Sequence, residues 1–183
     1  MKKIIVGLMI SAFSVVVLAN TVSPYTGQQT RQIKALSEQQ VQGYLNGHGL
    51  GYAKAAELNH YPGPKHVLEF AEQLNLTEKQ LHQTQLLFDE MKIEASELGQ
   101  LFIEKERQLD RRFSAGEIDG ASLKALLIDI GALQVNIRHV HLNAHLKQLV
   151  LLTDAQVRLY DQLRGYGAGP HHGAARDSHQ HMH

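Results

Sequence analysis

Apolar residues fall at helical spacing along two long stretches of this chain. In the first, Leu81, Phe88, Ala95, Phe102 and Leu109 recur every seven residues, with Met91 and Leu98 between them. In the second, Leu123, Ile130, Ile137, Ala144 and Leu151 do the same, with Leu126, Leu133 and Val140 between them. A seven-residue repeat is two helical turns, so each set forms a seam along one helix face. Ser114 to Gly120 separates the two, and Gly116 and Gly120 supply the backbone freedom of a reversal. The pattern predicts an antiparallel helical hairpin. With its turn centred near Glu117, residue i lies level with about residue 234 minus i.

One phrase brackets the hairpin: Leu76-Thr77-Glu78-Lys79-Gln80 before it and Leu152-Thr153-Asp154-Ala155-Gln156 after it. In each, the Thr hydroxyl can cap a helix while the Gln three residues on reaches back to the cap's own N–H, a capping box. Ser37-x-x-Gln40 is a third box and starts a short helix through about Asn46. Ala53 to Leu58 reads as a helical turn or two, Tyr61-Pro62-Gly63-Pro64 as non-helical, and Lys65 to Leu74 as amphipathic helix ended by Asn75. Ala155 to Leu163 is a last helix, stopped at Gly165. The expected fold is all-α and elongated: a long antiparallel hairpin with short N- and C-terminal helices, four to five in total. Ile128, Val135, Leu142 and Leu149 add a second apolar stripe to the second long helix. Either the short helices pack on it, or it lines a cradle-like homodimer.

Composition narrows the chemistry. Cysteine is absent from the 183 residues, which excludes disulfides, thiolate metal sites and thiol catalysis. Lys plus Arg and Asp plus Glu balance at 18 each, so no basic field attracts nucleic acid. No Ser-His-Asp elbow or His-Glu-x-x-His pair occurs, and a thin hairpin offers few dry clefts for acid–base work, so the expectation is a non-enzymatic protein without an organic cofactor. The Gly47 to Gly51 run lacks the Gly-Lys-Ser/Thr ending of a phosphate loop and no strand precedes it.

At the N-terminus, Lys2 and Lys3 precede an apolar run from Ile4 to Leu18, and Val17-Leu18-Ala19 offers short residues where a signal peptidase reads. Residues 1–19 are read as a signal peptide for export to the periplasm; an uncleaved anchor is the other reading, but the run is shorter than the roughly 20 residues of a spanning helix. Residues 20–32 form a polar, mobile lead-in, 33–166 the helical domain, and 167–183 a disordered His-rich tail.

Twelve histidines are the compositional excess. In the tail, His171, His172, His179, His181 and His183 offer imidazoles at close spacing, suited to zinc, nickel, cobalt or copper, although such a tail also serves simply as a solvated end. Within the helical part, His141 and His145 stand four apart on one face, as two ligands of one ion must. By the hairpin register Asp89 lies level with His145 and is the expected carboxylate ligand, and the short helix carrying His66, or the loop with His60, is the element that can complete the site. The Ala55 to Pro64 segment has no assigned role.

The two bracketing Leu-Thr-x-x-Gln phrases behind a signal peptide resemble the LTxxQ superfamily of bacterial periplasmic proteins, over roughly residues 33–166. That superfamily includes Spy- and CpxP-like chaperones, zinc-resistance-associated proteins and CnrX-type metal sensors. The resemblance implies an envelope-stress protein whose partners are divalent metal ions, unfolded periplasmic proteins or a membrane sensor. In the sensors metal is held by histidines before the first motif, an acid early in the first long helix, and a His with a Met one turn on. His66, Asp89 and His145 fall near those places at different offsets, and Leu149 stands where the Met would be.

Overall fold

Both Leu-Thr-x-x-Gln phrases form closed capping boxes: each Thr hydroxyl accepts from the Gln backbone N–H and each Gln side-chain oxygen accepts from the Thr N–H, at 2.9 to 3.2 Å. A computed structural model describes residues 22–167. Among them the fold is all-α, with no strand and six helices: α1 Glu38–Leu45, α2 Lys54–Glu57, α3 Pro64–Glu69, α4 Glu78–Ala115, α5 Gly120–Leu151 and α6 Asp154–Leu163. A single 3-10 turn, Gln28–Thr30, precedes α1. The residues read as a signal peptide, and the tail histidines from His171 onward, lie outside the described residues.

The helices number one more than the pattern suggests because α2 is a separate single turn. Pro64 begins α3 one residue earlier than expected, since a first-turn N–H has no helical partner to lose. α3 also ends early, at Glu69, and turns carry the chain to Asn75, whose φ of 48° reverses it before α4.

α4 and α5, about 57 and 48 Å long at 1.5 Å per residue, pack antiparallel. Across the hairpin Lys105 reaches Asp129 at 2.7 Å and Gln148 reaches Thr84 at 3.1 Å, so the expected register holds to within two residues. Gly116 caps α4 in the left-handed conformation, φ 69°. Gly120 needs no such freedom: the second half of the turn is set by Asp119, which accepts from Ser122 N–H at 2.7 Å while the Ser122 hydroxyl accepts from Asp119 N–H at 3.1 Å. This Asp–Ser box escapes a search for Gln or Glu at the third position.

The core divides in two. At mid-hairpin, Ile33, Leu36 and Tyr44 from the N-terminal arm pack on Phe102, Ile103, Ile130 and Ile137. α1 approaches α4 so closely that a Cβ on Gly99 would lie 2.2 Å from the Tyr44 carbonyl oxygen, so only glycine fits there. At the base, Val67, Leu74, Leu152 and Tyr160 form a second cluster beneath the paired capping boxes.

Those boxes do more than start helices. The Gln80 amide nitrogen donates to the Gln156 side-chain oxygen at 2.9 Å, and the Gln156 nitrogen donates to the Gln80 oxygen at 3.1 Å. Each nitrogen also donates to a chain carbonyl, Gln80 to Leu151 O at 2.8 Å and Gln156 to Leu74 O at 3.2 Å. Glutamate would serve a lone capping box equally well, because only an acceptor oxygen is needed. In this arrangement Gln80→Glu removes two donors and faces a carboxylate toward two oxygens. Chemical unfolding of Gln80→Glu is therefore expected to show a loss of about 2–3 kcal/mol; stability equal to the parent would show that the cross-pairing contributes nothing.

Candidate metal-binding site

The segment between α1 and α3 wraps the lower hairpin and encloses a cleft of about 540 Å³. The glycine-rich turn lies directly on α4: a Cβ at Gly47 would meet the Lys92 carbonyl oxygen at 2.5 Å, and the Ser96 hydroxyl donates to Leu45 O at 2.7 Å. Residues 47–51, α2 and the start of α3 form one wall. Phe88, Met91 and Lys92 of α4 and His141 and His145 of α5 form the other.

His141 and His145 are buried on the cleft-facing side of α5, 3% and 7% exposed. His145 Nδ1 lies 2.7 Å from the Tyr61 carbonyl, which can only accept, so this nitrogen carries a proton; a neutral ring held this way has its lone pair on Nε2, the tautomer a metal-ligating imidazole uses. Gly63 makes room for the ring, since a Cβ there would lie 2.8 Å from His145 Cε1. His141 Nε2 is buried and has no hydrogen-bond partner. Burial, and then the neighbouring His145, pull the His141 imidazole down to about 4, so it is neutral at ordinary pH.

The carboxylate of this cleft is Glu57, at the end of α2. Its Oε1 accepts from the Tyr160 hydroxyl at 2.8 Å, Arg164 Nε at 2.9 Å and the Tyr166 hydroxyl at 2.9 Å. Its Oε2 is buried without a hydrogen-bond partner, 3.8 Å from His145 Nδ1. The sequence pattern did not single Glu57 out. Its signal was an acidic residue inside the Ala-rich Ala55 to Pro64 segment, which had no other role.

Asp89, the carboxylate expected from the register, is not in the cleft. It is exposed, and its two oxygens accept from Gln85 Nε2 at 3.0 Å each. Its height along the hairpin matches the expected register and its direction around α4 does not: Phe88 faces the cleft, and one residue further turns the side chain by about 100°. His66 reaches the cleft rim, half-buried, with Nδ1 2.6 Å from Glu69. That hydrogen bond holds the Glu69 carboxyl below its ordinary value. His60 turns instead toward α6, with Nδ1 2.8 Å from Asp161 Oδ2.

Orphaned buried atoms on His141 and Glu57, with an imidazole between them whose Nδ1 is held by the Tyr61 carbonyl, suit a borderline divalent ion chemically. In number they fall short: among the described residues no group of three or more His, Asp or Glu side chains is disposed to hold one ion. Comparisons with protein-family models, curated proteins and solved structures find no match to this chain.

A buried neutral histidine has a consequence for stability. The unfolded chain protonates His141 near 6.5 and the folded one only near 4, so between these values the unfolded state holds more protons and stability falls as pH falls. The contribution is fully present above 6.5 and amounts to at most about 3 kcal/mol. Unfolding of chelator-treated protein at pH 7 and pH 5 should show this loss, and His141→Gln should flatten the pH dependence across that interval. An unchanged slope in the variant would show that His141 is not the group responsible.

Proposed function

We propose that this chain is a non-enzymatic envelope-stress protein of the bacterial periplasm that binds a divalent heavy metal, zinc, nickel, cobalt or copper, at the cleft floor. The observation that carries the reading is the pair of buried atoms without hydrogen-bond partners, His141 Nε2 and Glu57 Oε2, flanking His145. Buried polar atoms are normally satisfied, and a ligand that satisfies these only in the folded state stabilises it by mass action. A melting series with zinc or nickel on the full chain is expected to raise the Tm by roughly 5–10 °C at 100-fold excess over Kd. The rise should disappear in His141→Gln/His145→Gln and shrink in Glu57→Gln. Equal shifts in parent and double variant would reject the cleft as the binding place.

A second reading rests on a separate observation, the outer face of α5. Ile128, Val135, Leu146 and Val150 are 61, 67, 53 and 74% exposed there, and α5 is long and apolar enough by composition to cross a membrane. A cradle-shaped homodimer that holds unfolded polypeptides without ATP would use such a face. In sedimentation at micromolar concentration the parent should then run as a dimer and Ile128→Ser/Val135→Ser as a monomer with weaker suppression of client aggregation. A monomeric parent would remove the homodimer from this reading.

A further inference from the structure

The charge around the cleft runs against a bare cation. Lys54, Lys65, Lys92 and Arg164 line it, with Glu57 as its one carboxylate. Two of these basic groups have acidic partners: Lys65 Nζ lies 3.7 Å from Glu69, and Arg164 donates to Glu57 Oε1 at 2.9 Å. Lys54 and Lys92 have none among the described residues. They stand on opposite walls, Lys54 on α2 and Lys92 on α4, and Lys54 folds back over the glycine-rich turn, where a Cβ on Gly51 would lie 3.5 Å from its Cε. Two ammonium groups facing the same space repel an entering dication and attract an anion.

The supply of ligands points the same way. His141 and His145 offer imidazoles one turn apart, yet among the described residues no three His, Asp or Glu side chains are disposed around one ion. A borderline divalent ion in a closed site takes four ligands, so something else must bring the remainder. An organic anion that chelates the ion through several oxygens does so, and it carries the negative charge that Lys54 and Lys92 call for. The cleft has room for it: about 540 Å³ is the size of a small-molecule site and far more than one ion fills. Leu50, Phe88 and Met91 give a carbon skeleton an apolar wall, which a bare oxyanion such as phosphate would leave uncovered. On the α5 wall, His141 Nε2 is buried without a hydrogen-bond partner, a polar atom that a bound complex would satisfy.

We propose that the cleft takes its divalent ion as a complex with a small organic polycarboxylate, the imidazoles of His141 and His145 binding the ion and the ammonium groups of Lys54 and Lys92 receiving the carboxylates that the ion leaves free. The inference rests on the metal reading above and adds what accompanies the ion. It differs from bare-ion binding in one respect: a chelator that lowers the free ion concentration loads the cleft instead of emptying it.

Citrate labelled with carbon-14 is the probe. The full-length parent, Lys54→Gln/Lys92→Gln and His141→Gln/His145→Gln, each shown to be folded by circular dichroism, are dialysed against labelled citrate with and without zinc. The Tm is followed with zinc alone and with zinc in excess citrate. The parent is expected to retain label only when zinc is present, and its zinc-induced Tm rise should survive the citrate. Retention should fall about tenfold in Lys54→Gln/Lys92→Gln, which loses two exposed charge contacts but keeps its Tm rise with zinc alone. It should vanish in His141→Gln/His145→Gln. If zinc alone raises the Tm of the parent while citrate abolishes the rise and no label is retained, the proposal is overturned and the metal reading stands. Label retained equally without zinc, or undiminished in either variant, also overturns it. If the parent binds neither zinc nor citrate, the metal reading fails and this inference falls with it.

Discussion

Two glutamine side chains hold the base of this molecule together. Each amide oxygen caps its own helix, and each amide nitrogen crosses to the other glutamine and to a chain carbonyl. The pair thereby joins the start of α4, the start of α6, the end of α5 and the turn at Leu74 at one place. Because every amide atom is used, the half-buried pair avoids the penalty of an unsatisfied polar group. Only glutamine satisfies both demands, since a glutamate oxygen caps but cannot donate across.

The cleft depends on that junction. Fixing the start of α6 sets the line along which Tyr160, Arg164 and Tyr166 converge on Glu57 Oε1. Their three donors orient the carboxylate so that its other oxygen faces His145. From the same wall as Glu57, the Tyr61 carbonyl turns the facing His145 ring and Gly63 leaves it space. Lys54, Lys65, Lys92 and Arg164 also line the cleft, so basic side chains outnumber its one carboxylate, Glu57.

Away from the base the molecule thins. Among the described residues the hairpin beyond the Ile33, Leu36 and Tyr44 cluster is only two helices thick, and α5 carries apolar residues on both of its faces. The inner set, Leu126, Ile130, Ile137, Val140 and Ala144, is buried against α4, while Ile128 and Val135 on the outer stripe face away from every described element. Of the two explanations for that stripe, packing by the short helices fails at these two positions.

Spacing along the chain was enough to determine the all-α class, the hairpin, its turn, its register and both capping boxes, because each of these is local: a seven-residue repeat, a left-handed glycine and a side chain reaching three residues back. It was also enough to bring His141 and His145 to one face. Tertiary structure decided the remainder. The crossing of the Gln80 and Gln156 amides joins residues 76 apart, and no local pattern encodes a meeting of two caps. Asp89 was selected by height along the hairpin and lost by its angle around α4, whereas Glu57 came into the site through the path of a loop and one short helical turn. Heights follow from helical rise and a turn position. Which way a wrapped segment folds back, and so which carboxylate faces a histidine, is set only by packing between distant parts of the chain.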